Sequence, residues 1–144
     1  MLVAHLMTRN VEVISQDASL KEAAEKMREL DIGVLPVLDG DQLVGIVTDR
    51  DITVRATAEG RDPSGTRVRE AMTSQVAYCF DSEETQDAVE IMKQEQVRRL
   101  VVLDHDQNIV GMVSIADLAL DSSNDRLIGE VVRHVTDPWG AKTV

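Results

Sequence analysis

Aromatic side chains are almost missing: Phe, Tyr and Trp make up 2% of the 144 residues. Any interior is therefore aliphatic, and there are too few rings for the stacking platforms that hold unpaired nucleic-acid bases. Cysteine occurs once, at Cys79, so no disulfide can close within the chain and a reducing, cytoplasmic setting is expected. Basic residues are outnumbered, 15 against 26 acids, for a net charge of −11. Nucleic-acid backbones and anionic membrane surfaces repel such a chain, although a local group of arginines can still hold a small anion. No run approaches ~18 consecutive apolar residues, so no membrane span is expected. The N-terminus, MLVAHLMTRNVEV, lacks the basic stretch and long apolar run of a signal peptide. His5, His105 and His134 are scattered, with no zinc-ligand spacing.

What is present is enough for a core. The chain is 43% apolar, and its length allows one ordinary domain or two very small ones sharing an interior. Its main organising fact is an internal repeat. A shift of 65 aligns Val3 with Val68, Met7-Thr8 with Met72-Thr73, Val11 with Val76, Met27 with Met92, and Val37-Leu38-Asp39 with Val102-Leu103-Asp104. Between Gln42 and Leu43 the shift becomes 66, and GIVTDRDI from Gly45 then falls on GMVSIADL from Gly111. DGDQ in one copy has become DHDQN in the other, an insertion that a hairpin loop absorbs cheaply. Each copy is expected to be unable to bury its apolar face alone.

Within a copy, VEVIS at 11–15 alternates as a short strand does. Ser19 with Glu22 fits a capping box ahead of a helical stripe of Leu20, Ala23, Ala24, Met27 and Leu30. VLPVL at 34–38 and LVGIV at 43–47 form an antiparallel hairpin, with Pro36 expected near an edge or a strand start. A second helix runs from Asp49 towards Gly60, a C′ residue. The second copy repeats this order from Val76, with Glu84 in place of the capping serine. GRDPSGT is the loop-like stretch between copies. The organisation is a first motif over 1–60, a linker at 61–66, a second motif over 67–121, and a C-terminal helix and tail over 122–144. That helix carries Leu127, Ile128, Val131 and Val132, and the residues after Thr136 read as a loose tail.

This element order, the repeat, and the stretch LPVLDGDQLVGIVTDRDI resemble the cystathionine-β-synthase (CBS) domain. Met-Thr opens each copy, LPV or LVV precedes each hairpin, and each hairpin ends in Gly, an apolar residue, Val, Thr or Ser, two variable residues and Asp. Two such copies resemble a CBS pair, or Bateman module, over roughly Val3 to Leu120. The layout is similar to stand-alone bacterial CBS-pair proteins, the hypoxic-response type among them, without an attached catalytic domain. The resemblance implies an α/β (α+β) fold in which two β-α-β-β-α motifs pack through their sheets with pseudo-twofold symmetry. It also implies two clefts that bind adenine nucleotides (AMP, ADP or ATP), or in some members NAD or S-adenosylmethionine. A homodimer of CBS pairs with a regulatory role is the expected assembly, and a ligand-free interaction module is the alternative.

The paired motif fits that chemistry. A hydroxyl at Thr48 or Ser114, where a strand gives way to a helix, can donate to a phosphate. Asp51 or Asp117 lies one helical turn on and can accept from the two hydroxyls of a ribose. The same four residues also fit plain helix caps. By resemblance, Thr48, Arg50 and Asp51 face Val76, Ala77, Val97, Arg98 and Arg99. Ser114 and Asp117 face Thr8, Val11, Glu12, Ile32 and Gly33. On that grouping the Thr48 cleft gathers the arginines and prefers the more highly phosphorylated nucleotide. Those arginines can instead form surface pairs with Glu95, Asp104 or Asp106.

Other signals are weaker. Asp104-x-Asp106-x-Asn108 resembles the opening of a calcium loop, but Ile109 stands where a glycine is needed and Ile115 where a bidentate Glu belongs, which favours a solvated turn. Asp49 and Asp51 have no general base or nucleophile beside them, so catalysis is not expected.

Overall fold

A computed structural model describes residues 1–136; the tail read beyond Thr136 lies outside the described residues. The fold is mixed α and β, with two three-stranded sheets, and it divides into two compact units. The first unit spans Glu12–Val76 and the second joins Met1–Val11 to the chain from Ala77 onward. This spatial division differs from the division into repeats. Each unit holds the body of one copy and the leader of the other.

In the first unit, β1 (Ile14–Ser15) runs parallel to β2 (Val34–Asp39), which pairs antiparallel with β3 (Gln42–Thr48). Between β1 and β2 lies α1 (Leu20–Leu30). Ser19 Oγ accepts from Glu22 N at 3.1 Å, and Asp31 ends the helix in the left-handed region. The apolar stripe of α1 buries Leu20, Ala23 and Met27 on Leu35, Val37 and Val47 of the sheet. After β3 the helix expected over 49–60 breaks in two: α2 (Asp49–Ile52), then a π-turn over Thr53–Thr57. Gly60 closes it at φ +73.

The second unit repeats the plan with β4 (Tyr78–Phe80), α3 (Thr85–Glu95), β5 (Arg99–Leu103), β6 (Ile109–Ser114) and α4 (Ile115–Leu118). It adds α5 (Asp125–Thr136). Val131 is buried in this unit's core, with Leu127 and Ile128 packed beside it, and Lys93 Nζ lies 2.8 Å from Glu130 Oε2. Thus α5 completes the second unit. The Asp104 carboxylate accepts from the backbone N–H groups of Asp106 and Asn108, both at 2.9 Å, and closes the hairpin loop as a solvated turn. Cys79 is buried, and that burial pushes its thiol up to about 12. Among the described residues, no helix is long and apolar enough to cross a membrane.

Pro36 departs from expectation, because β2 is the central strand of its sheet. The reason lies in the hydrogen bonds. Its partner Ile46 gives both backbone bonds to Thr73, so Pro36 and Ile46 form a non-hydrogen-bonded pair. The proline nitrogen is left on the β1 side, just before pairing begins at Ile14 with Val37. At the matching place in the other unit, Val101 N donates to Ala77 O at 3.2 Å. Lacking that donor, the first unit starts its strand one residue later, and β1 has two residues where β4 has three.

The leaders are held the same way in both units. Val3 N donates to Glu83 O, and Val68 N to Ala18 O. The first N–H of α1 and of α3 goes to the leader: Leu20 N to Thr66 O and Thr85 N to Met1 O, each at 2.9 Å. Glu84 offers α3 no side-chain cap, and its carboxylate lies 2.9 Å from the Met1 ammonium instead. Further along, Thr8 bridges Met112 and Thr73 bridges Ile46, each on the outer edge of the last strand of a sheet. Both contacts require glycine. A Cβ on Gly111 would stand 2.7 Å from Thr8 O, and one on Gly45 2.8 Å from Thr73 O.

Gly45→Ala and Gly111→Ala are therefore expected to destabilise the protein by about 1–3 kcal/mol each, as overpacking against fixed backbone does. Gly129→Ala in α5, with nothing within 4 Å, is expected to be neutral or to stabilise by up to about 1 kcal/mol. Denaturant midpoints of the three variants check the contrast. Asp104 supplies a pH test. Hydrogen bonding from Asn108 holds its carboxyl below the ordinary 3.8, so its contribution is present above that value and is lost as pH falls through the lowered one. Asp104→Asn should be less stable than wild type at pH 7, and the gap should close in urea titrations as pH falls through that lowered value.

Candidate functional site

The duplicated motif sits where the last strand of each sheet enters its four-residue helix. Thr48 and Ser114 are the N-cap residues of α2 and α4, and both motifs are complete reciprocal capping boxes. Thr48 Oγ1 accepts from Asp51 N at 3.0 Å, while Asp51 Oδ2 accepts from Thr48 N at 3.0 Å. Ser114 Oγ accepts from Asp117 N at 3.1 Å, while Asp117 Oδ2 accepts from Ser114 N at 2.9 Å. The four side chains are caps, as one reading of the sequence had it.

A cap of this kind leaves binding capacity over. Each hydroxyl uses a lone pair as acceptor and keeps its proton to donate. Each carboxylate commits Oδ2 and keeps Oδ1 to accept. A hydroxyl donor and a carboxylate acceptor, both oriented by the backbone, can serve a phosphate and a ribose side by side. The helices are too short for a macrodipole argument, so the chemistry rests on these side chains.

Strand register decides which other residues join each motif. In the first unit Val34 lies opposite Thr48, and Asp49 N donates to Gly33 O at 3.0 Å, which brings Ile32 and Gly33 beside Thr48 and Asp51. A Cβ on Gly33 would stand 2.9 Å from Asp49 Oδ2, so a larger residue there would displace the Asp49 side chain. Val76 ends the leader bonded to this unit, and Glu12, in the same unit, lies 3.6 Å from Lys26 Nζ. Arg50 is exposed.

In the second unit Arg99 lies opposite Ser114, and Ile115 N donates to Arg98 O at 2.9 Å. Val97, Arg98 and Arg99 thus stand beside Ser114 and Asp117, and both arginines are exposed. Thr8 joins them through its bridge to Met112, two residues before Ser114. Val11 and Ala77 belong to the same unit. The resemblance groups Arg98 and Arg99 with Thr48, and Ile32 and Gly33 with Ser114; within each unit the hairpin register sets each of these pairs next to the motif of its own copy, since the residues just before a hairpin lie opposite the residues at its end.

Sequence reasoning passed over Gly45 and Gly111 as functional positions, although both stand in the quoted repeat. It also passed over Arg55, whose Nη1 donates to Met72 O at 2.9 Å and whose Nε lies 3.8 Å from Asp51 Oδ1.

Two β-α-β-β-α motifs, each ending its hairpin in a capped Thr or Ser with Asp three residues on, define a tandem pair of related motifs rather than an isolated domain. The CBS domain profile matches twice, over residues 3–56 and 68–124, and the chain belongs to the CBS-domain family. It is 34% identical to the CBS domain-containing protein YhcV of Bacillus subtilis, over 93% of this chain and 94% of that one. It is 36% identical to hypoxic response protein 1 of Mycobacterium tuberculosis, over 79% and 80%. Among solved structures, a putative signal-transduction protein with CBS domains from Burkholderia ambifaria superposes with a TM-score of 0.75 at 32% identity, covering 88% of this chain and 96% of that one. CBSX2 in complex with AMP matches with a TM-score of 0.71 at 26% identity, over 87% and 98%. The CBS domain pair of MJ0100, in complex with 5-methylthioadenosine and S-adenosyl-L-methionine, matches with a TM-score of 0.73 at 25% identity, over 87% and 98%.

The caps themselves can be measured. Thr48→Ala and Ser114→Ala are each expected to cost about 1 kcal/mol, while Thr48→Ser, which keeps the acceptor oxygen, should cost a few tenths. Equal unfolding midpoints for Thr48→Ala and wild type would remove the capping role.

Proposed function

We propose that this protein is a regulatory sensor of adenine nucleotides, with AMP, ADP or ATP as the ligand and no catalytic activity of its own. The observation that carries the reading is the duplicated capping box, which leaves one hydroxyl proton and one carboxylate oxygen uncommitted to the cap in each copy. The AMP complex of CBSX2 and the adenosyl ligands of MJ0100 support an adenosine-bearing ligand. In this reading Thr48 and Ser114 donate to phosphate, Asp51 and Asp117 accept from ribose, and the leaders ending at Val11 and Val76 supply backbone polar groups to the base.

The two sites are unequal. Arg98 and Arg99 stand beside Ser114, whereas the matching places in the first unit are Gly33 and Val34, with the Asp49 carboxylate close to Gly33. Guanidinium groups suit phosphate oxygens, and a second carboxylate does not. The Ser114 site is the one we assign to the more highly phosphorylated nucleotide, and the Thr48 site, with Arg50 as its own cation, to AMP or a nucleoside-like ligand. Regulation follows from linkage: a ligand with different affinity for two conformations shifts the population between them. A cytoplasmic homodimer that passes this shift to a partner protein is the proposed setting, consistent with the single buried thiol.

Thermal unfolding against AMP, ADP, ATP, NAD and S-adenosylmethionine tests the reading. One compound at a hundred times its dissociation constant should add ~2.7 kcal/mol of stability. Asp51→Asn and Asp117→Asn should each abolish one site in calorimetric titration, and Arg99→Ala should weaken ADP and ATP more than AMP. No shift with any adenosyl compound would favour a ligand-free interaction module, and turnover in the same mixtures would favour an enzyme.

A further inference from the structure

The first copy carries a device that the second lacks. Directly after α2, the chain widens into the π-turn over Thr53–Thr57, where Ala58 N donates to Thr53 O at 2.9 Å. Wide turns of this kind are rare and often mark functional positions. At its centre is Arg55. The guanidinium reaches two partners in its own unit: Nη1 lies 2.9 Å from Met72 O and 3.5 Å from Ala71 O, and Nε lies 3.8 Å from Asp51 Oδ1. One fork therefore joins the carboxylate of the motif to the carbonyl of the leader that rests on Gly45.

The second copy is built otherwise. At the shift of 66, Arg55 falls on Asp121, an acid, which accepts from Thr85 Oγ1 at 2.8 Å and from Ser123 Oγ at 2.6 Å. Helix α4 stops at Leu118, and a 3-10 turn over Ser122–Asn124 replaces the π-turn. Among the described residues, no ion pair joins Asp117 to a cation.

We propose that Arg55 is a positioning residue for the Thr48–Asp51 site alone. This rests on the reading of Asp51 as a ribose acceptor. Oδ2 of Asp51 is committed to Thr48 N, so Oδ1 is the oxygen left for a ligand, and it is the one that Arg55 faces. At 3.8 Å the guanidinium orients Oδ1 without consuming it in a short hydrogen bond. Through Met72 O the same group fixes the leader from which Val76 follows. Arg55 is half exposed and its ion pair contributes little to stability, so its consequence is the spacing between carboxylate and leader. A lysine keeps the charge but has no fork to span both partners.

Calorimetric titration with AMP on single-site backgrounds tests this. Asp117→Asn isolates the Thr48 site, and Asp51→Asn isolates the Ser114 site. Adding Arg55→Gln to the first background should weaken AMP binding about fivefold, and adding it to the second should change nothing. Arg55→Lys should not restore the loss. Equal weakening on both backgrounds, no weakening on either, or full restoration by lysine would each overturn the proposal. Amide hydrogen exchange gives a ligand-free readout. Arg55→Gln should speed exchange of Thr73 N, bonded to Ile46 O, and leave its counterpart Thr8 N, bonded to Met112 O, unchanged. If wild type binds no AMP, the ligand reading fails, while unchanged exchange at Thr73 would show that Arg55 tethers nothing.

Discussion

A Met-Thr segment lying against a glycine in the last strand of each sheet is the contact on which the rest of this chain depends. Thr8 and Thr73 can bridge to Met112 and Ile46 only because Gly111 and Gly45 present no Cβ to the carbonyl above them. The bridge covers a strand edge that would otherwise be open. It also brings the rest of the leader into place, so that Met1 O and Thr66 O take the first N–H of α3 and α1. The cores follow from this. Val3 and Met7 belong to the interior of the second unit, and Val68 and Ala71 to that of the first. Neither copy supplies its own leader, so neither closes its own core. In physical terms the repeat is an obligatory exchange, a stronger condition than two similar domains in sequence.

The same strand that carries the glycine carries the hydroxyl. Gly45 and Thr48, like Gly111 and Ser114, are ends of one short segment whose backbone is pinned on one side by the hairpin and on the other by the leader. A side chain at the end of such a segment has little freedom to lose. The capping box removes more by fixing hydroxyl and carboxylate to each other's N–H groups. Preorganised polar groups bind at lower entropic cost than mobile ones. Under the proposed function, capping and ligand binding are successive uses of one arrangement, since each group spends only part of its hydrogen-bonding capacity on the cap.

Much of this was legible in the sequence, and the failures have identifiable causes. Both hairpins, α1, α3 and the closing Gly60 follow from periodicity, turn chemistry and caps that act within a few residues. The leader exchange does not. Thr8 and Met112 are far apart in the chain, and residues 1–11 have too little regular structure to show a period. Shifting the chain against itself shows which residues are equivalent but not which unit receives them. Pro36 misleads for a related reason: whether a central strand needs an N–H depends on which pairs are hydrogen-bonded, and that is set by Thr73. The π-turn has no signal of its own, because TVRAT reads as ordinary helix.

The positions at which the copies differ follow from the positions at which they cannot. Gly45 with Gly111, Met-Thr with Met-Thr, and both capping boxes are held by backbone contacts that leave no room for change. The carbonyl that accepts from the first residue of each four-residue helix is also constant, but the side chain above it is not: Gly33 with Asp49 in one unit, Arg98 with Ile115 in the other. A side chain at 33 would meet the Asp49 carboxylate, whereas the second unit has Arg98 with Ile115, so the local charge reverses while the accepting carbonyl stays as it was. Duplication with exchanged leaders preserves the scaffold in both units, while side chains around it diverge, Gly33 against Arg98 and Asp49 against Ile115 among them.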